Sequence, residues 1–115
     1  MLPTVGHEAK FQGRAGKELN TEHGGTAAYA AALNVLALAR QHLGSLNKIS
    51  RVVRLGVYIA TAGDFADHVT VADAASELLR DILGEDKMSS RLVFGVPSLP
   101  LGVPVELEVV FEVSA

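Results

Sequence analysis

The stretch RLVFGVPSLPLGVPVELE, residues 91–108, carries the strongest structural signal of the chain. Apolar residues alternate with other residues on both sides of a segment that contains proline and glycine. The alternation predicts a strand at 91–96, a five-residue turn from Ser98 to Gly102, and a last strand at 103–113. These elements together predict a β-hairpin.

Two kinds of charged residue lie on this predicted hairpin. A guanidinium such as that of Arg91 is always charged and presents a planar fork of donors that suits a carboxylate or a phosphate. A glutamate beside it, such as Glu106, can handle a proton or a water molecule. If Val93 pairs with Glu106, Arg91 lies opposite Glu108 and diagonal to Glu106 on one face. A slip of one residue puts the charges on opposite faces.

The hairpin therefore suggests a small-molecule site that combines Arg91 with a glutamate able to handle a proton or a water molecule. Two plainer interpretations remain open. In the first, Arg91 is a strand-end arginine paired with a surface carboxylate. In the second, the glutamates Glu106, Glu108 and Glu112 are solvated residues of an edge strand.

Helices and strands alternate along the rest of the chain. Residues 1–19 are predicted to form a loop-rich amino-terminal segment with one weak strand from Ala9 to Gln12. Asn20 or Thr21 caps a helix that runs to Leu43 and ends at Gly44. Period-two alternation predicts a strand over Ile49–Ala60.

A second helix is predicted over Val69–Leu83, preceded by a short helical start that Asp64 caps. Its expected inward residues are Val71, Ala75, Leu78, Leu79 and Ile82. The element order is (β)αβαββ, which predicts one α+β domain over residues 1–115, with two helices on one face of the sheet.

The other face of this sheet is predicted to be mixed in character. We expect Tyr58, Val93, Val110 and the three glutamates there, a set too apolar for open water and too charged for a sealed core. Such a surface is typical of proteins whose sheets meet between copies, so we expect a homo-oligomer.

Composition narrows the function classes. The net charge of −3 and the 5% aromatic content disfavour nucleic-acid binding. The absence of cysteine excludes disulfides and thiolate chemistry. The histidines, at positions 7, 23, 42 and 68, lack a ligand spacing, so no metal site is predicted. No signal peptide or membrane-spanning segment is visible, which predicts a soluble cytoplasmic protein.

Several segments together resemble the YjgF/RidA family, also called the L-PSP endoribonuclease or reactive-intermediate deaminase family. They are GTAAYAAALN at 25–34, LGSLNKISRVVRLGVYI at 43–59, DFA at 64–66, and RLVFGV, LP and VELE within 91–108. The resemblance implies a chorismate-mutase-like fold and a homotrimer with ligand clefts between subunits. It also implies hydrolysis of 2-aminoacrylate-type enamines and imines to 2-keto acids, without a metal or organic cofactor.

By this resemblance, Arg91 clamps the carboxylate of a small metabolite and Glu106 orients or activates the water. The chain differs from the family pattern in two places. It opens at Met1-Leu2-Pro3, inside a segment where the family carries a tyrosine and a glycine, and Val93 stands where the family often has cysteine or threonine. Non-catalytic binding of keto acids and the ribonuclease activity of the family's older name are the alternative functions.

Overall fold

The computed structural model describes residues 1–5, 8–9 and 11–114. It confirms the α+β class and the predicted bounds of the first long helix and of two strands. The elements are β1 (Thr4–Val5), β2 (Glu8–Ala9), α1 (Thr21–Leu43), β3 (Ile49–Ala60), α2 (His68–Leu83), β4 (Arg91–Val96) and β5 (Val105–Val113). No helix in the described ranges is long and apolar enough to cross a bilayer.

The amino-terminal segment differs from its prediction. The weak strand expected from Ala9 to Gln12 is instead a two-residue strand, β2, which pairs antiparallel with β1. Lys10, inside the predicted strand, lies outside the described residues. Asn34 of α1 fixes this segment, because its side-chain nitrogen donates to the backbone oxygens of Leu2 and Thr4 at 3.0 and 2.8 Å.

The helix ends follow local chemistry. The Asn20 side chain accepts a hydrogen bond from the His23 backbone N–H at 2.8 Å, and Gly44 ends α1 in the left-handed region with φ 84°. The short helical start predicted at Asp64 is wrong. Residues 64–66 are not helical, because the Phe65 N–H bonds to the Ala62 carbonyl and closes a turn.

The two helices pack closely because α1 presents small residues to α2. A methyl group at Gly24 would come within 3.0 Å of a methyl carbon of Val71. The inward face of α2 is as predicted except at its last turn, where Ile82 is 52% exposed and Leu83 is buried. Spacing explains this, since Val71, Leu79 and Leu83 follow a four-residue repeat along one side of the helix.

The three-stranded sheet has the order β4-β3-β5. The predicted hairpin is wrong: β4 pairs parallel with β3, and β5 pairs antiparallel with the other edge of β3. The connection after β4 crosses the end of β3, where the backbone of Thr61 bonds to Val96 and that of Ala60 bonds to Pro104. The unit β3-α2-β4 is thus a crossover, which joins parallel strands.

The register of β3 divides the side chains between two faces. Leu55, Val57 and Ile59 are fully buried beneath the helices. The alternate positions, including Tyr58, lie on the face that the helices leave uncovered, which we call the open face. Val93 was predicted there, but it pairs with Val57 and packs against the core. Its neighbours Leu92 and Phe94 occupy the open face instead, with about half of each exposed.

Candidate functional site

Arg91 begins β4 and points toward α2. It pairs with Leu55 of β3, so its side chain lies on the helix-covered face of the sheet. Its Nη1 donates to the hydroxyl of Ser76 and its Nη2 to Oδ1 of Asp73, both at 2.8 Å. A turn of α2 therefore fixes the guanidinium from one side.

Arg91 lies in a cleft of about 350 Å³. We call it the arginine cleft, and it is lined by Leu55, Asp73, Ser76, Arg80, Met88, Ser89, Ser90 and Arg91. A second guanidinium, that of Arg80, is paired with Glu85. The lining combines hydroxyls with two arginines, each of which has a carboxylate partner, and this is a polar environment suited to a small charged ligand.

The guanidinium of Arg91 has capacity left for a ligand. Arginine carries five N–H donors, and the contacts to Ser76 and Asp73 use two of them. The Arg91 side chain is 27% exposed and that of Asp73 is 47% exposed. Because water screens such a pair, it contributes little to stability, and its main effect is to set the position of the guanidinium.

Glu106 lies in a different concavity, of about 290 Å³. This second cleft, the glutamate cleft, is lined by Tyr58, Leu99, Glu106, Leu107 and Glu108. Glu106 is half-buried and pairs with Tyr58 across β3 and β5, so it belongs to the open face.

One protomer therefore does not bring Arg91 and Glu106 together. The predicted placement of Arg91 opposite Glu108 and diagonal to Glu106 is wrong, because β3 lies between β4 and β5. The register also puts them on opposite faces, since Arg91 aligns with Leu55 and Glu106 with Tyr58.

The neighbouring glutamates of β5 have structural partners. Glu108 pairs with Arg54 at 3.0 Å and Glu112 with Arg51 at 3.5 Å, and all four side chains are about half exposed. These pairs match the predicted alternative of solvated edge residues.

The first residue of the chain contacts β5 through its backbone. The Leu107 N–H donates to the Met1 carbonyl at 2.8 Å, and the Met1 amino group bonds to the Leu107 carbonyl. Burial lowers the pKa of this amino group below its ordinary value of 8.0, although the charges of Glu106 and Glu108 act in the opposite direction.

The open face also carries an aromatic pair. The rings of Tyr58 and Phe94 stack with centroids 5.9 Å apart and an angle of 22° between their planes. Tyr58 lines the glutamate cleft, so the stacked ring of Phe94 limits its movement. Two aromatic rings on a face that no other part of the described chain covers are typical of a contact surface.

The histidines show no ligand cluster. Within residues 1–5, 8–9 and 11–114, no three His, Asp or Glu side chains gather as metal ligands would. His68 stacks edge-on against Phe65 with ring centroids 5.3 Å apart. His7 lies outside the described residues.

Sequence reasoning missed Asp73 and Ser76 as partners of Arg91. One signal was available: Ser76 directly follows Ala75, a predicted inward residue of α2. Ser76 is itself buried, and a buried hydroxyl needs a hydrogen-bond partner. Asp73 is one helical turn earlier on the same side. Their link to Arg91 depends on β4 lying beside β3, which the hairpin prediction excluded.

The sequence matches the model of the family described as "YjgF/chorismate mutase-like, putative endoribonuclease" over residues 1–112. The chain belongs to this family. The match includes both Arg91 and Glu106, so the arginine cleft and the glutamate cleft both lie within the family domain.

Known proteins support this membership. Protein TCP17 of Trypanosoma cruzi is 34% identical over 103 residues, which are 89% of this chain and 64% of that protein. The chain thus spans less than two thirds of that relative. Among solved structures, a protein of unknown function from Agrobacterium tumefaciens, Atu1372, has a TM-score of 0.94 and 31% sequence identity to this chain. The match covers 98% of this chain and 72% of the Atu1372 chain. A "putative endoribonuclease" from Shewanella oneidensis has a TM-score of 0.92 and 28% identity, covering 97% and 74%.

Proposed function

We propose that this protein hydrolyses small imino acids of the 2-aminoacrylate type to 2-keto acids and ammonia, in clefts between the subunits of a homotrimer. The observation that carries the proposal is the state of Arg91: its guanidinium is fixed by Asp73 and Ser76 in a polar cleft and retains three N–H donors. Family membership adds the expected reaction class.

The two predicted site residues require two copies of the chain. Arg91 lies on the helix-covered face at an outer strand, and Glu106 lies on the open face. They meet when β4 of one copy approaches the open face of another. Because each contact then joins two different surfaces, its repetition gives a ring where the rotation closes, and a trimer is the ring that the family resemblance implies.

The open face has the chemistry of such a contact. Leu92, Phe94 and Val110 are each about 45% exposed there, and Phe94 stacks on Tyr58. Apolar side chains of this size gain from burial against another copy. The ion pairs that Glu108 and Glu112 of β5 form with arginines of β3 are suited to the rim of the contact.

The chemistry follows from the two groups. The donors of Arg91 bind the substrate carboxylate and orient the adjacent C=N carbon. Glu106 of the neighbouring copy accepts a proton from water as the water oxygen bonds to that carbon. Glu106 gives this proton to the nitrogen of the tetrahedral adduct, and its carboxylate then takes up the hydroxyl proton as the C–N bond breaks, so that ammonia leaves with the 2-keto acid as the other product.

The direct test generates 2-aminoacrylate in a coupled assay and follows pyruvate release. We expect wild-type protein to accelerate release, and Arg91→Ala and Glu106→Gln to lose on the order of 100-fold in rate with the trimer intact. Glu112→Gln is the matched control, because Glu112 is on the same strand but pairs with Arg51. Equal loss in the control, or full activity in Glu106→Gln, contradicts the proposal.

Mixed trimers test whether the site is shared. When Arg91→Ala and Glu106→Gln subunits are unfolded together and refolded as a 1:1 mixture, about one cleft in four receives Arg91 from one copy and Glu106 from the next. We therefore expect about a quarter of the wild-type rate from two inactive parents. If both residues act within one protomer, the mixture stays inactive.

Non-catalytic binding of keto acids is the second candidate, and the separation of Arg91 from Glu106 within a protomer favours it. The arginine cleft is complete in one copy, so it can bind a carboxylate without any chemistry. Pyruvate binding that Arg91→Ala abolishes, together with no pyruvate release in the coupled assay, identifies this function. Cleavage of single-stranded RNA that Arg91→Ala abolishes identifies instead the activity in the family's description.

A further inference from the structure

We propose that Asp73 is a specificity-determining residue, which makes the arginine cleft select carboxylates that carry a positively charged nitrogen on the adjacent carbon and disfavour the 2-keto acid product. This inference rests on the proposed function, because it takes Arg91 as the group that binds the substrate carboxylate. It adds a second charge requirement to that site.

The placement of Asp73 supports this role. Its Oδ1 accepts the hydrogen bond from Arg91 Nη2, while 47% of its side chain stays exposed. Both residues line the same cleft. A ligand whose carboxylate occupies the remaining donors of Arg91 therefore lies in the cleft that Asp73 lines, within the field of its carboxylate.

The charges then discriminate between substrate and product. A protonated imino acid carries a carboxylate and, on the next carbon, a C=NH₂⁺ group, so its two charges match Arg91 and Asp73 in turn. The keto acid has a carbonyl oxygen in place of the nitrogen. That oxygen has only lone pairs to present to Asp73, and the ligand's net negative charge is repelled by the carboxylate.

Ser76 provides a matched control for this argument. It also binds the Arg91 guanidinium at 2.8 Å, but it is neutral. Loss of Ser76 removes a positioning contact without changing the charge of the cleft. A charge effect and a positioning effect can thus be separated on the same helix turn.

The experiment measures the affinity of the trimer for pyruvate and for L-alanine by calorimetry, with alanine as a stable zwitterion in place of the imine. In Asp73→Asn we expect pyruvate to bind about tenfold more tightly, a modest value for two like charges within about 5 Å of each other at a partly exposed site. Alanine should bind more weakly in the same variant. Ser76→Ala should weaken both ligands to a similar extent, and Asp81→Asn, a charge change at an exposed position of α2, should change neither.

The outcomes separate the two proposals. If Asp73→Asn weakens both ligands equally, as Ser76→Ala does, Asp73 only positions Arg91 and the specificity inference is wrong. Unchanged affinities in Asp73→Asn also refute it, while loss of both ligands in Arg91→Ala leaves the proposed function intact. If wild-type protein binds neither ligand, or Arg91→Ala binds both normally, the proposed function fails and this inference fails with it.

Discussion

The strand order that separates Arg91 from Glu106 can be tested with engineered disulfides, because the chain has no cysteine of its own. Tyr58 and Phe94 are partners across β3 and β4, and their rings are stacked on the open face. Partners on adjacent strands lie about 5 Å apart, within the Cα separation that a disulfide spans. The double variant Tyr58→Cys, Phe94→Cys is therefore expected to form an intramolecular bond under mild oxidation.

The size of the effect follows from the loop that the bond closes. Positions 58 and 94 enclose roughly 37 residues, for which loss of unfolded-state entropy predicts about 4 kcal/mol of stabilisation. Strain in a parallel pair reduces this, so we expect the free energy of unfolding to rise by about 2–4 kcal/mol on oxidation. Comparison of the oxidised and reduced forms of the same variant cancels the loss of the aromatic stack.

Urea unfolding measures this difference, and a second pair provides the control. In the register of the predicted hairpin that brings Arg91 beside Glu106, Val93 and Glu106 are direct partners, whereas in the structure β3 separates them by about 10 Å, beyond the reach of a disulfide. Val93→Cys with Glu106→Cys is thus expected to remain reduced within one chain. Non-reducing electrophoresis identifies any bond between copies. An intramolecular bond in this pair, and none in the first, would refute the strand order.

Three further predictions concern the packing around the sheet. Leu79→Ala should lower the free energy of unfolding by about 3 kcal/mol because Leu79 is fully buried, whereas Ile82→Ala should cost less than about 1 kcal/mol; urea unfolding compares them. Gly95→Ala places a methyl carbon 2.5 Å from His68 Nε2 and should cost about 1–3 kcal/mol, most of which His68→Ala should restore in the double variant. Asn34→Ala removes the side chain that holds the amino-terminal segment and should cost about 1–2 kcal/mol, with faster amide exchange confined to that segment.

The sequence predicts the elements of this fold well because their signals are local. The cap at Asn20 and the left-handed Gly44 bound α1, and both act through residues within one turn of the helix end. From Leu55 to Ile59 the alternation in β3 arises because successive side chains of a strand point to opposite faces of the sheet, whereas register shifts interrupt it nearer the start of the strand. Such signals need no knowledge of what lies next to the element.

Strand order is a different kind of information. Alternation shows which residues of β4 share a face, but it does not say which strand lies beside them. Proximity along the chain favours pairing of β4 with β5, and the turn residues from Ser98 to Gly102 strengthen that prediction. The opposing signal was the sequence of strand, helix and strand from β3 through α2 to β4, which is typical of a parallel crossover. The apolar content of β3, buried at Leu55, Val57 and Ile59, agrees with its central place.

The candidate site shows the same contrast between local signals, which the sequence carries, and strand order, which it does not. Arg91 was predicted to be a site residue from the chemistry of its guanidinium. The alternative interpretation, a strand-end arginine paired with a carboxylate, is what one protomer shows. The identity of that carboxylate was not predictable from the hairpin, because Asp73 comes within reach only when β4 lies beside β3 and under α2. The roles of Arg91 in substrate binding and of Glu106 in catalysis remain predictions.

The arrangement of the two clefts makes binding and chemistry separable in this protein. One copy completes the arginine cleft, since Arg91, Asp73 and Ser76 all belong to β4 and α2 of the same chain. The proposed hydrolysis at that cleft also requires Glu106 on the open face of a second copy, because no change of side-chain rotamer carries either residue through the sheet between them. Assembly is therefore a condition of the proposed reaction, whereas the proposed carboxylate recognition depends on the fold of the single chain.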